Sequence, residues 1–367
     1  VVPDASSNEV ELHKQLWDEG IQTIILDHHH APIDESDPVV SFVEAMKEQL
    51  NYERELYPGP QRGTSLDQCT MIMPSSNFII RGDSLFIEKA QQLLDTTKGL
   101  LTVAGLGAQS NSKDDTPKKL VRDLQPYKVK FFKSLSERAV SIGIRGEFTA
   151  ACLEEMGIYN YRIIGCPSAY VTFDGEFDIK RPTSERSVMT YTGTNKMENK
   201  ILELGIRENA HWIMQMANER PEVIYENKDL LERDYQEAFP NITVTKQELI
   251  NYMRKNGHMF FRYSDWCDFY KEYNPTFSYG SRFHGNMCAM RNGIPALWIT
   301  HDSRTSELVN TLHLPSIDYK QFEKIRDLEE LVSYCDYSQF KKNYRVLSRN
   351  YVQFLNENKI NHNFSIE

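Results

Sequence analysis

The stretch "TFSYGSRFHGNMCAMRNGIPALWITHDSRTSELVNTLHL", residues 276–314, sets the fold class. A short apolar run ends at Gly280, a polar turn follows, and an amphipathic segment runs on to Gly293 and Pro295, which are helix stop signals. A second apolar run, "ALWIT", then leads through the polar turn "HDSR" into another helical pattern. Strand, turn and helix, twice in succession, is the repeat of a parallel sheet covered by helices.

The same alternation extends through most of the chain. "TMIMPSSNFII" (70–80), "GLLTVAGLGAQS" (99–110), "AVSIGIRG" and "YRIIGCPSAYV" read as strands; "LFIEKAQQLLDTT" (85–97), "VKFFKSLSERA" and "EFTAACLEEMGI" read as helices. Charge and composition shift at "FDGEFDIKRPTSERS" (173–187), which reads as a linker. "SVMTYTG" opens a second series, with a long helix expected around "ENKILELGIRENAHWIMQMANE" and a mostly helical tail from about residue 320. The expectation is an α/β protein with parallel sheets and two Rossmann-like domains, residues 71–180 and 181–320. An atypical segment precedes them (1–70) and a helical tail follows (321–367).

With 367 residues the chain exceeds the size at which a single core stops growing, consistent with two domains. A net charge of −10 argues against a nucleic-acid surface spread over the whole molecule, yet leaves room for a local basic pocket that takes a small anion. The six cysteines form no CxxC pair and no regular spacing, which argues against a metal ribbon or a disulfide framework and for a reducing compartment. No apolar run approaches the roughly 20 residues of a membrane span. No signal peptide is visible, and the sequons at Asn241 and Asn363 read as chance, so a cytoplasmic location is expected.

In open α/β sheets ligands bind beyond the carboxyl ends of the strands, where the next helix presents free N–H groups. Arg282 and His284 stand two apart at such an edge; in an extended turn they point the same way and, with the helix dipole, form a site for phosphate or carboxylate. Taken alone, such a pair is also explained by an Arg bound to an acid and a His capping the helix. The next strand ends in His301, Asp302, Ser303 and Arg304, and two neighbouring turns this rich in Arg, His and Ser favour a site. Arg145 repeats the pattern in the first half, as an anion ligand or as a cap of the sheet edge, and two halves facing across a cleft would bring it toward Arg282 and His284. Gly105 and Gly107 are too few for a dinucleotide fingerprint and read as close backbone packing; Lys196 reads as an anion contact or a solvated residue.

From about residue 75 onward the chain resembles the polysaccharide pyruvyl transferases. "NFIIRGDSL", "VAGLGAQ", "SIGIRGEFTAACLEEMGI", "IIGCPSAY" and the opening stretch carry the resemblance, in the family's order. The resemblance implies a two-domain fold like the GT-B glycosyltransferases. It also implies transfer of the enolpyruvyl group of phosphoenolpyruvate onto two hydroxyls of one sugar, giving a cyclic ketal and free phosphate, with no cofactor or metal required. The acceptor would be a sugar or glycan, free or lipid-linked. Arg145, Arg282 and His284 match the family's donor-binding positions; Phe283, Gly285, Ser303 and Arg304 complete the expected substrate site, with Arg282 and His284 catalytic. A guanidinium fork suits the carboxylate or the phosphate of the donor, and an imidazole suits proton transfer near neutral pH.

The family's first strand and its Asn/Gly loop are not found before residue 70. Residues 1–45 instead look like a fragment of a DHH phosphoesterase, with Asp4 and Asp27-His28-His29 at metal-ligand positions but the rest of the ligand set missing. Two other readings therefore stand beside pyruvyl transfer: a GT-B-type glycosyltransferase using a nucleotide sugar, and a degenerate or metal-dependent phosphoesterase. Tyr263, Trp266 and Trp298 are either rings for a sugar face or core, with Trp298 expected to be buried.

Overall fold

The computed structural model describes residues 71–365, apart from 97–98, 111–114, 171–175, 192–197, 216–218 and 261–262. Asp4, Asp27, His28, His29 and Lys196 lie outside the described residues. The chain divides into two compact units. One takes the chain up to Gly175 together with Asp302–Leu312 and Tyr344–Glu367; the other takes Glu176–His301 and His313–Asn343.

In the first unit, strands β1 (Met71–Pro74), β2 (Leu101–Leu106), β3 (Ala139–Ile144) and β4 (Tyr161–Ile163) form a parallel sheet in the order β1-β2-β3-β4. Helices α1 (Leu85–Thr96), α2 (Pro117–Arg122), α3 (Pro126–Arg138) and α4 (Glu147–Glu155) make the connections. All six residues of β2 are buried, as expected of a strand covered on both faces. Phe131, Phe132 and Leu135 of α3 join Val103, Leu106, Ile142 and Ile144 in the core. Strand β4 stops at Ile163, short of the apolar run read in the sequence, because Gly165 turns the chain at φ +68° into a 3-10 turn at Pro167–Ala169.

The second unit holds a six-stranded parallel sheet of β5 (Ser187–Thr190), β6 (His211–Met214), β7 (Gly257–Met259), β8 (Phe277–Gly280), β9 (Ala296–Thr300) and β10 (Ser316–Asp318). Its order is β10-β9-β8-β5-β6-β7. The chain starts at the centre, runs outward through β6 and β7, returns to β8 beside β5, and runs outward the other way. That is the doubly wound order, and its topological switch point lies between β5 and β8. Helices α5 (Asn199–Arg207), α6 (Glu222–Tyr225), α7 (Glu232–Ala238), α8 (Lys246–Asn256), α9 (Tyr263–Tyr273) and α10 (Phe283–Arg291) follow in chain order. So do α11 (Ser303–Leu312), α12 (Tyr319–Phe322), α13 (Leu328–Val332) and α14 (Ser338–Glu357). Trp298 is buried, as are Trp212 and Tyr279.

The long helix expected around residues 198–219 is instead helix α5 followed by strand β6. Asn209 takes a left-handed conformation (φ 52°), and the Ala210 N–H closes on the Gly205 carbonyl at 2.8 Å. This stops the helix and frees "HWIM" to pair with β5 and β7. Helix α11 follows β9 in the chain but belongs to the first unit.

Candidate active site

The switch point is built around Gly280. Its φ is +146°, and a β-carbon there would stand 1.8 Å from the Thr190 carbonyl oxygen, so only glycine lets β8 end against β5. The Ser281 N–H then donates to that carbonyl at 3.1 Å. Asn286, wholly buried, fixes the turn from below. Its amide nitrogen donates to the Gly280 carbonyl (3.0 Å) and the Leu297 carbonyl (3.1 Å), and its oxygen accepts from Ser278 Oγ (2.8 Å) and Thr190 Oγ1 (3.3 Å). One side chain thus ties the ends of β5 and β8 to β9.

On this platform Arg282 is the N-cap of α10, in extended backbone (φ −80°, ψ 112°), and His284 is the second residue of the helix. The two are therefore not an extended i,i+2 pair, because the helix has already begun at Phe283. Phe283 is 4% exposed, its ring against Trp298 (5.9 Å) and edge-on to His284 (5.3 Å), and its carbonyl accepts from Trp298 Nε1 at 3.1 Å. Gly285 is packed so that a β-carbon would meet Gln215 Nε2 at 2.5 Å. Helix α10 has no acid in its first turn and no side-chain cap. An Arg and a His at the positive end of a helix dipole concentrate positive potential where an anion is favoured.

The start of α11 differs. Asp302 caps α11, accepting from the Thr305 N–H at 2.8 Å. Ser303 Oγ accepts from the Ser110 N–H (2.9 Å) and donates to the Ser110 carbonyl (3.2 Å), and Arg304 Nε lies 3.8 Å from Asp302 Oδ2. These groups knit α11 into the first unit. Across from them Ser110 Oγ, Arg81 (2.6 Å) and Lys119 (2.8 Å) converge on the nearly buried carboxylate of Asp115, which they hold well below the usual carboxylate range.

Arg145 follows β3 directly and is 4% exposed. Its Nε donates to the Gly105 carbonyl (2.9 Å) and its Nη1 to Asn77 Oδ1 (2.6 Å). The side chain lies across Gly107, where a β-carbon would meet it at 2.6 Å; close backbone packing explains this glycine. At the start of α4, the place an incoming anion would take, sits an internal carboxyl. Glu307 of α11 accepts from the Thr149 N–H (2.7 Å) and the Thr149 hydroxyl (2.9 Å). Burial pushes Glu307 up to about 7, against the pull of Thr149 and of Arg145.

Reading the sequence alone passes over four residues that matter here: Asn77, Glu198, Asn286 and Glu307. Asn286 stands inside the decisive stretch, but only its partners reveal its role. Glu198 is 1% exposed and brings a carboxylate oxygen to 3.5 Å from His301 Nδ1 across a hundred residues of chain. No motif announces it. Among the described residues no cluster of three or more His, Cys, Asp or Glu is arranged to hold a metal, and no helix is long and apolar enough to cross a membrane.

No curated protein matches the chain. Solved structures similar to it include the Glycosylation Associate Protein (Gap123) complex from Streptococcus agalactiae, at TM-score 0.31 and 12% identity, covering 83% of this chain. The chain spans 55% of that protein's length. Another is the glycotransferase of kitacinnamycin, at TM-score 0.36 and 8% identity, covering 95% of this chain and 90% of that one. Neither likeness is close enough to transfer a function. Residues 122–303, about half of the chain and including β3, the second unit's sheet through β9, and the Arg282–His284 turn, match the profile of one family. Over those residues the chain belongs to the polysaccharide pyruvyl transferases, a family of transferases.

Proposed function

We propose that the protein transfers the enolpyruvyl group of phosphoenolpyruvate onto two hydroxyls of one sugar in a polysaccharide or its precursor. The observation that carries this is the start of α10 at the switch point: an Arg N-cap and a His in the first turn, with no acidic residue in that turn. The donor carries a carboxylate and a phosphate, and a guanidinium with free helix N–H groups is complementary to either. Arg282 binds the donor and neutralises the departing phosphate, and the backbone N–H groups of Phe283 and Gly285 add to the same pole. His284 handles the proton at the methylene carbon. We keep Arg145 as a donor ligand on the family resemblance alone, and Ser303 and Arg304 as flanking groups. No metal or cofactor enters the scheme.

The test is phosphate release from phosphoenolpyruvate in the presence of methyl glycosides of the common hexoses, with carbon NMR of the product. A quaternary carbon bearing a methyl, a carboxylate and two sugar oxygens is the expected product. Nucleotide-sugar glycosyl transfer would show instead as consumption of a nucleotide sugar with phosphoenolpyruvate left intact.

A further inference from the structure

A buried hydrogen-bond donor that finds no acceptor weakens the fold that holds it, so native chains keep few, and each one kept needs a reason. Two of them in the second unit belong to residues at the start of α10. Gln215 comes directly after β6, the strand beside β5. Its main chain is fixed, because its N–H donates to the buried carboxylate of Glu219. Its side chain packs against the first turn of α10: a β-carbon at Gly285, the third residue of that helix, would stand 2.5 Å from Gln215 Nε2. Ser281 is 1% exposed and directly precedes the Arg282 N-cap, with its own N–H bonded to the Thr190 carbonyl at 3.1 Å. Gln215 Nε2 and Ser281 Oγ are both shielded from solvent, and neither has a hydrogen-bond partner among the described residues. Packing alone does not account for them, since Met and Ala would fill nearly the same space without an unused donor.

We propose that Gln215 and Ser281 bind phosphoenolpyruvate, their carboxamide N–H and hydroxyl completing the anion site at the start of α10; this rests on the pyruvyl-transfer reading above. The chemistry they fit is an anionic oxygen, of the phosphate or of the carboxylate. Gln215 as a whole is only partly buried, and rotation about its outer side-chain bonds brings Nε2 onto the anion. The Ser281 hydroxyl hydrogen likewise turns to suit its acceptor. Both groups are neutral, so they order the oxygens of the anion without adding to the charge that attracts it. In the free protein the two donors are unused; in the complex both are satisfied. The same atoms that weaken the free fold therefore favour binding.

The experiment compares wild type, Gln215→Met, Ser281→Ala and Arg282→Ala. Each is titrated calorimetrically with phosphoenolpyruvate, inorganic phosphate and pyruvate, and each is melted. The expected result is phosphoenolpyruvate affinity lower by at least about tenfold in Gln215→Met and in Ser281→Ala, the loss of a hydrogen bond to a charged group. Their melting temperatures stay at or above that of wild type, because each substitution removes an unused buried donor. A purely structural role would instead lower the melting temperature and leave the affinity alone. A loss repeated with inorganic phosphate, or with pyruvate, supports the assignment and names the end of the substrate that the residue touches. Should one variant fail to fold, the other decides; a loss in one folded variant alone strikes the other residue from the site. Affinity within about twofold of wild type in both variants, while Arg282→Ala loses it, overturns the assignment and leaves the pyruvyl-transfer reading standing. Melting temperatures more than about 5 °C below wild type in both variants overturn it as well. A wild type that binds no phosphoenolpyruvate overturns both.

Discussion

Glu307→Gln is the substitution whose outcome the structure specifies most closely. The Glu307 carboxyl is 7% exposed, accepts two hydrogen bonds from Thr149, and is pushed by burial from 4.5 to about 7. At about 1.4 kcal/mol per unit, that shift corresponds to about 3 kcal/mol of stability that depends on pH. The sign follows from which state holds the proton. Between 4.5 and about 7 the folded chain keeps a proton that the unfolded chain has lost. The contribution is therefore fully present below 4.5, declines as pH rises through that window, and is gone above about 7. Glutamine copies the protonated acid: its carbonyl accepts the Thr149 N–H and its amide reaches the Thr149 hydroxyl, with no charge to bury. Urea unfolding of wild type and Glu307→Gln, followed from about pH 4 to about pH 8, is the assay. The two should be close at the acid end, with the variant gaining on wild type by up to about 3 kcal/mol toward the alkaline end. A difference that stays constant with pH, or that moves in favour of wild type as pH rises, refutes the account of this carboxyl.

Three further outcomes follow from the same geometry. Gly280→Ala forces a β-carbon to within 1.8 Å of the Thr190 carbonyl, so β8 must part from β5; the melting temperature should fall sharply and donor binding should be lost. Asn286→Ala leaves the Gly280 and Leu297 carbonyls without their buried donor. It should cost at least about 3 kcal/mol in unfolding measurements, with donor affinity falling in the fraction that folds. His258 is pulled down to about 4 by burial and by the neighbouring His211, whose Nδ1 is 2.6 Å from its Nε2, while Phe260 and Phe269 pack on the ring. Because the folded value lies below the ordinary 6.5, stability is present above 6.5 and is lost as pH falls toward 4. His258→Phe should flatten that acid decline in a pH series of melting curves.

The alternation of strands and helices was legible because strands β2, β5, β8 and β9 are buried on both faces and so appear as apolar runs between turn residues. "ALWIT" and "LTVAGL" are such runs, and both are wholly buried strands. "HWIM" was absorbed into a helix because the apolar spacing of α5 continues through it, and only the left-handed turn at Asn209 separates the two. The order of strands could be read no further than neighbours in sequence, whereas the switch between β5 and β8 depends on a return across the sheet. At the site, Arg282 and His284 stood out by residue type beside a glycine. Their supports did not, since Asn286 reads as an ordinary helical residue and Glu198 meets His301 only through the fold. Arg145 was chosen for its charge, but its Nε and Nη1 bonds go to Gly105 and Asn77, contacts that the sequence around it does not foreshadow.

The most direct measurement is calorimetric titration of the protein with phosphoenolpyruvate at low salt, repeated on Arg282→Ala. The account predicts saturable binding by the wild type and an affinity lower by at least about tenfold in Arg282→Ala, the loss of a charge-assisted hydrogen bond. Wild type that takes up no phosphoenolpyruvate, or Arg282→Ala that binds it as tightly as wild type, would contradict a donor site at the start of α10.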